Sequence, residues 1–485
     1  MLHRGNSMQR RAKMGTRASD IGNGGGLQHA RATTVKRGLL AMAVAWLWAG
    51  ATMASGELHT NASAAAQQGG ESAAAGGAGR PENITVWLRE VVGSPEFAVL
   101  RAAAQRFNST RPPHPIVLLP SIYVNYEDQI RSAAAAGTLP CLLEVDGPFV
   151  APFAWAGDLL PLDRFVPEEL LKDLLPTILA QGQYGGHQYT LGLFESGLGL
   201  WGNRRYLAAA GVRIATVHKP WTLQEFETAL QKLSALPGVA DALTLDLPTG
   251  ASELYSYAFG PLLQGFGGDL IDRRSYAFAR GVLDGPNSVA AMKHFQLWFQ
   301  RGWTHYDGRH TDFAEGKSAL SWSGHWFYPL YHEALGRDLV LMPLPDFGAG
   351  IKTGVGSWEW GISSTCPYPT EAWRFLAYLM TDEEILRLTN VNAAIPARKS
   401  ALARSKLYGR RGPLAVFVEQ LEAGSSVPRP KTPAYNTIRI AFRTAIQAIA
   451  RGADVQTELG KAAARIDREI ADNRGFPDPG RAPHP

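Results

Sequence analysis

Cysteine is almost absent. Cys141 and Cys366 are the only two in 485 residues, and two isolated cysteines with no His cluster beside them make no zinc site. They lie 225 positions apart, and sequence alone leaves open whether they pair. No cysteine follows the hydrophobic leader, which argues against a lipid-modified N-terminus. The glycine fingerprints of nucleotide binders are missing, both the P-loop and the Rossmann type. No G-x-S-x-G nucleophile elbow occurs, since "ESGLG" does not match it. "HYDGRHTDF" (305–313) holds His305, Asp307, His310 and Asp312, but the spacing fits no metal pattern and reads as a solvated loop. No short internal repeat is present.

A basic surplus is missing too, despite a formal charge of +5. The first 55 residues hold eight of the 48 Lys and Arg but one of the 43 Asp and Glu. The remainder carries 40 basic and 42 acidic side chains. No cationic stripe remains to grip phosphates, so nucleic acid is excluded as a partner. Long apolar runs are also lacking. Leu39–Ala51, after Lys36-Arg37, is the length of a signal-peptide core and short for a bilayer span. Small residues at Ala51, Ala54 and Ser55 place cleavage near 54–56, with an uncleaved anchor as the alternative and Met8 or Met14 as alternative starts. Residues 56–81 are rich in Ala, Gly and Gln and read as a disordered linker.

What remains is rich in aromatics, with 13 Trp and 15 Tyr. Flat apolar faces with polar edges suit packing, and they also suit sugar rings. Local signals give alternating elements. "ITVWL" reads as a strand. Ser94 and Pro95 open a helix that Asn108 and the following prolines stop. "PIVLLP" is a strand, "YEDQIRSAAAAG" a helix ended by Gly137, and "LPCLLEVDG" a strand. Strand–helix alternation means a doubly wound α/β sheet, whose ligands sit at the carboxyl ends of the strands. That points to Arg89 and Glu90 after the first strand and to Asp146 after the third. Thr222 caps a further helix, and 288–302 has the same period. "SALSWSG" and "DLVLMPLP" read as strands, 353–364 as strand or loop, and two amphipathic helices close the chain.

One carboxylate stands out. In "LGLFESGLGLWGN" (191–203), Glu195 sits in an apolar run, where a lone charge is costly unless paired. It is a catalytic acid, an ion-pair partner or a hydrogen-bonding post for a polar ligand. Glu195 and Asp146 lack the acid/base context of a glycosidase pair. A binding role needs less: a carboxylate accepts strongly from vicinal hydroxyls while aromatic faces cover the ring. Tyr257, Trp326 and Trp358 are the candidate faces.

The chain resembles family 1 extracellular solute-binding proteins of ABC-type sugar importers, the maltose-binding-protein-like group. The segments "ITVW", "EVDGPFVAPFAWAGDLLPLDRFV", "YGGHQYTLGLFESGLGLWGNRRYLAAAG", "KPWTLQEF", "PLLQGFGGDLID", "FAEGKSALSWSGHWFYP", "GSWEWGISS…EAWRFLAYLM", "NAAIPARKSAL" and "YNTIRIAFRTAIQAIARG" follow the family's order. The resemblance covers residues 82–474. It implies a type II periplasmic-binding-protein fold, two α/β lobes with doubly wound, mainly parallel sheets joined by a multi-stranded hinge. Lobe one would be 82–192 plus 344–427, lobe two 193–343 plus 428–474, and 475–485 a disordered tail. It implies that Glu195 faces the cleft as a sugar-hydroxyl acceptor and that Asp146 binds hydroxyls. Tyr257 and Trp326 would stack on the sugar, Trp358 would match a "GGW"-type loop, and Glu90 would match more weakly. Arg439, with Tyr435 nearby, stands where a stacking Trp occurs in the family. That departure counts against a long maltodextrin and leaves a disaccharide, trehalose or a glycerol-phosphate-type solute open. Pro140 is followed by Cys141 where the family often has Pro-Asp.

The expected function is capture of a di- or oligosaccharide in an interlobe cleft of a periplasmic monomer, and delivery to ABC permease transmembrane subunits. No cofactor, metal or catalytic residue is implied, and no membrane span after cleavage. A carbohydrate sensor and a polysaccharide-active enzyme are the alternatives.

Overall fold

The computed structural model describes residues 82–120, 126–245, 247, 253–409 and 411–477. The leader, the linker and residues 478–485 lie outside the described residues. The local signals act where the sequence puts them. Strand β1 (Ile84–Leu88) alternates buried and half-buried side chains. Ser94 Oγ accepts from the Phe97 N–H at 3.1 Å and starts the helix Pro95–Ser109, as a serine cap should. Strand β2 (Ile116–Pro120), the helix Tyr126–Ala136 and strand β3 (Leu142–Asp146) follow.

Small strands β4 (Gln183–Tyr184) and β5 (His187–Gln188) form a hairpin. Strands β6 (Thr190–Gly192), β7 (Phe194–Glu195) and β8 (Leu198–Asn203) then come in quick succession. Thr222 and Glu225 exchange both hydrogen bonds of a capping box ahead of the helix Leu223–Ser234, satisfying two donors that a helix start leaves unpaired. Strands β9 (Asp241–Thr244), β10 (Ser318–Gly324), β11 (Leu339–Met342), β12 (Thr353–Val355), β13 (Trp358–Ile362), β14 (Ile395–Pro396) and β15 (Ser426–Pro428) complete the set. The closing helices are Tyr435–Ala450 and Val455–Asp472.

Among the described residues there are two principal sheets. The first has the order β2-β1-β3-β13-β6, the second β11-β8-β10-β9. Both are mixed. In the first, β1 runs parallel to β2 and β3, while β13 runs antiparallel to β3 and β6. In the second, β10 is parallel to β9, and β8 is antiparallel to β10 and β11. The reversed strands are the ones that pass between sheets. β6 ends in the first sheet at Gly192 and β8 begins in the second at Leu198, with β7 between them. β11 ends in the second and β13 lies in the first, with β12 pairing β15 on the way.

Each sheet has its own core. Ile84, Val86, Leu142, Ile362, Phe375 and Leu376 form one. Leu200, Phe226, Phe259, Leu262, Trp298 and Ile446 belong to the other. Each large side chain removed from water contributes about 1.5–3 kcal/mol. Two smaller clusters stitch the halves. Tyr435, at the start of the penultimate helix, packs with Tyr126, Val145 and Phe149. Trp201 of β8 packs with Ile395 of β14 and with Phe417. At the chain's end, Phe476 meets Trp155 edge-on at 5.3 Å, and the Trp155 indole N–H donates to the Pro477 carbonyl at 2.9 Å.

Cys141 and Cys366 are disulfide-bonded. They flank the β3–β13 pair, where Leu142 faces Ile362 and the Ser363 N–H donates to the Cys141 carbonyl at 3.0 Å. The bond encloses the whole second sheet in its loop. Cross-linking across so many residues restricts the unfolded chain strongly, by about 5 kcal/mol on the chain-entropy argument. Replacing both cysteines by serine should therefore lower the melting temperature by several degrees, and dithiothreitol should do the same to the wild type. Equal melting curves with and without reductant would show that the bond carries no stability.

Candidate functional site

Three remote segments converge on one buried group of charges. β3 delivers Asp146 at its carboxyl end. The start of the helix Leu254–Gly265 delivers Glu253 and Tyr257. The segment after β15 delivers Arg429. Arg429 donates from Nη1 and Nη2 to the two oxygens of Asp146 at 2.8 and 2.6 Å. Its Nη1 also lies 3.1 Å from Glu253 Oε1, and its guanidinium sits 5.1 Å above the Tyr257 ring. Fork-to-fork pairs of this kind are strong and fix orientation. The Tyr435 hydroxyl donates to Glu253 Oε1. Arg439 bonds Asn436, stacks over Phe149 at 5.1 Å and reaches to 3.9 Å from Glu253 Oε2. Burial, opposed by Arg429, pushes the Glu253 carboxyl up to about 8.

Aromatic faces stand beside these charges. Trp326 follows the end of β10, half-buried, with its ring 6.0 Å from that of Tyr257. Gly324 makes room for it, since a Cβ there would fall 2.0 Å from the indole. His325 is the pin. Its Nδ1 must donate to the Asn392 carbonyl, at 2.9 Å, which leaves Nε2 to accept from Ser196 Oγ at 3.2 Å. Burial holds its pKa down to about 4, so the ring is neutral.

The structure brings Asp146, Tyr257, Trp326, Tyr435 and Arg439 together. Glu195 lies at the same junction in a different role. It is fully buried. Its Oε1 accepts from the N–H groups of Ser196 at 2.9 Å and Gly356 at 2.8 Å, and its Oε2 from Gln181 at 3.2 Å. Gln181 in turn accepts from the Ser357 N–H at 2.9 Å. Gly356 has φ +135°, and a Cβ would meet Arg429 Nη2 at 2.7 Å. Glu195 thus ties β7 to the β12–β13 turn, and protein donors rather than open space face its oxygens.

Trp358 and Glu90 sit in a neighbouring group. Trp358 pairs with Asp146 across the β13–β3 ladder, but its ring is covered by Arg89 at 5.0 Å and approached by Tyr126 at 5.9 Å. Glu90 lies 2.6 Å from Arg89 and accepts from Ser94 Oγ at 3.0 Å. Arg89 also bonds Glu96 through Nη2 and Glu144 through its backbone N–H, both at 2.9 Å. Burial, opposed by Arg89, raises Glu144 to about 8 and Glu96 to about 7.

Arg429, Glu253, Gln181 and His325 escaped the sequence reading. One signal was there for Arg429: "PRP" (428–430) fixes a cation between two prolines, whose restricted backbone holds it in place. Glu253 stands four residues before Tyr257, one helical turn away. Among the described residues, no group of three or more His, Cys, Asp or Glu could hold a metal ion. Nor is any helix long and apolar enough to cross a membrane.

The pattern of a family described as bacterial extracellular solute-binding protein matches residues 93–385. The chain belongs to this family. Its members bind solutes and are not enzymes. A lipoprotein encoded in the oleD 5′ region of Streptomyces antibioticus is 23% identical over 338 residues, 68% of this chain and 74% of that one. The maltotriose-binding protein of Pyrococcus abyssi is 22% identical over 303 residues, 60% of this chain and 61% of that one. The GacH receptor of Streptomyces glaucescens, solved unliganded and with acarbose, superposes with a TM-score of 0.68 at 22% identity. The match covers 81% of this chain and 98% of the receptor. The likeness is one of fold.

Two outcomes follow for this solute-binding protein. Glu195→Ala leaves two backbone N–H groups and the Gln181 amide without an acceptor, which should cost about 2–4 kcal/mol of stability in urea unfolding. A variant as stable as wild type would remove the tether role. The raised Glu144 carboxyl binds its proton more tightly folded than unfolded. Its contribution is complete below the unfolded value near 4.5 and is lost as pH rises towards 8,. Glu144→Gln should flatten the fall in stability between pH 5 and pH 8, and an unchanged pH profile would count against it.

Proposed function

We propose that this chain is the exported receptor of an ABC-type sugar importer. It captures a di- or oligosaccharide between two lobes and hands it to the permease transmembrane subunits. The observation that carries the reading is the Tyr257–Trp326 pair beside the Asp146–Arg429–Glu253 group, at the junction of the sheets. Aromatic faces cover a sugar ring while charged acceptors and donors take its hydroxyls. The family, and relatives named for maltotriose and solved with acarbose, support it.

The lobes are 82–192 with 344–427, and 193–343 with 428–474. Closure about the crossing strands is the working motion, and ligand favours the closed form through contacts to both lobes. The leader is removed near residues 54–56, which leaves a free periplasmic protein. Asp146, Tyr257, Trp326, Tyr435 and Arg439 line the ligand, while Glu195 holds the hinge. Glu90 and Trp358 border the site.

A thermal-shift screen of the chain from residue 56 against neutral di- and trisaccharides tests this. A ligand at 100 times its Kd should add about 2.7 kcal/mol of stability. Trp326→Ala should weaken that sugar by roughly 10- to 100-fold, the size of a lost aromatic face. No shift with any sugar in folded protein would refute the reading.

A further inference from the structure

The charges at the junction discriminate between classes of solute. Arg429 and Arg439 are the cations there among the described residues, and carboxylates already meet both. Asp146 fills the Arg429 fork with two bonds, and Glu253 touches Arg429 and approaches Arg439. Two more acids lie in electrostatic range. Glu127 feels Asp146 and Arg439, and Glu195 feels Arg429. Two carboxyl groups therefore meet the two guanidiniums, and two more lie within electrostatic range. Glu253 adds a second feature. Its Oε2 is buried and receives no hydrogen bond.

An anionic solute needs an open guanidinium fork or a cluster of donors. Here it would have to displace Asp146 and then sit beside that freed carboxylate and Glu253. A hydroxyl needs neither. It donates to the Glu253 oxygen that receives no hydrogen bond, or to Asp146, and adds no charge.

We propose that Asp146 and Glu253 form an anion-excluding pair in this cleft, and that Glu253 is a specificity-determining residue that admits uncharged sugars and rejects uronates and sugar phosphates. The proposal rests on the sugar-receptor reading and narrows it, setting aside glycerol-phosphate-type solutes. The groups facing Glu253 are Arg429, Asp146, Arg439, Glu127 and Tyr435. Because its carboxyl titrates high, the exclusion grows as pH rises.

The test is calorimetry on the chain from residue 56 at pH 7 and pH 8.5. The probes are the neutral sugar giving the largest thermal shift, maltotriose being tried first, and the same sugar with its terminal CH2OH oxidised to a carboxylate. The uronate should bind wild type at least about tenfold more weakly than the neutral sugar at pH 7, and about 100-fold more weakly at pH 8.5. Glu253→Gln is nearly isosteric and should make the gap between uronate and neutral sugar equal at the two pH values. Uronate bound as tightly as neutral sugar by wild type at pH 8.5 overturns the exclusion and leaves the receptor reading intact. A Glu253→Gln protein that keeps the wild-type pH dependence overturns the role of Glu253. If Glu253→Gln does not fold, the wild-type comparison alone decides the exclusion. A screen with no neutral sugar bound overturns both readings.

Discussion

A buried two-bond contact between Arg429 and Asp146 is the constraint on which the junction depends. The residues lie 283 positions apart. Each is shielded from water, so neither charge is tolerable without the other. The contact therefore demands that β3, the segment after β15 and the start of the helix Leu254–Gly265 reach one place together. Tyr257 lies beneath the guanidinium, Tyr435 bonds the second acid, and Trp326 packs beside Tyr257. Such a pair contributes little net stability against an apolar filling, but it fixes register.

A hydrogen-bonded thread runs beside that contact. From Glu96 it passes to the Asn392 side chain at 3.3 Å, from the Asn392 carbonyl to His325, then to Ser196 and Glu195, and on to Gly356. Glu195, Ser196 and Gly356 lie on the segments that pass between the two sheets. This seam is thus built from polar groups that satisfy one another, while the two aliphatic cores form separate clusters. A buried polar seam whose members are all satisfied is rigid and specifies one arrangement of the strands it joins.

Much of the fold was readable because its signals are local. Ser94, Thr222 with Glu225, and Gly137 mark helix ends through bonds to residues at most three positions away. Tyr257 and Trp326 were readable from their places beside glycines and element ends. The resemblance supplied the pairing of the two lobes, which no local pattern could. Glu195 shows the limit. A lone charge in an apolar run was correctly marked as needing partners, but the decisive ones are backbone groups at residue 356, and a backbone N–H leaves no trace in the residue alphabet. Glu253 and Arg429 were missed for a related reason. Each looks like an ordinary surface charge until a distant segment buries it.

The disulfide has a consequence for biogenesis. Cys141 emerges with the first parallel strands, but its partner follows only after the entire second sheet. Until residue 366 arrives, the first thiol has no partner within the chain. Oxidation is then a checkpoint on completeness. A chain that stops before residue 366 cannot be locked, and the bond marks polypeptides completed past that point.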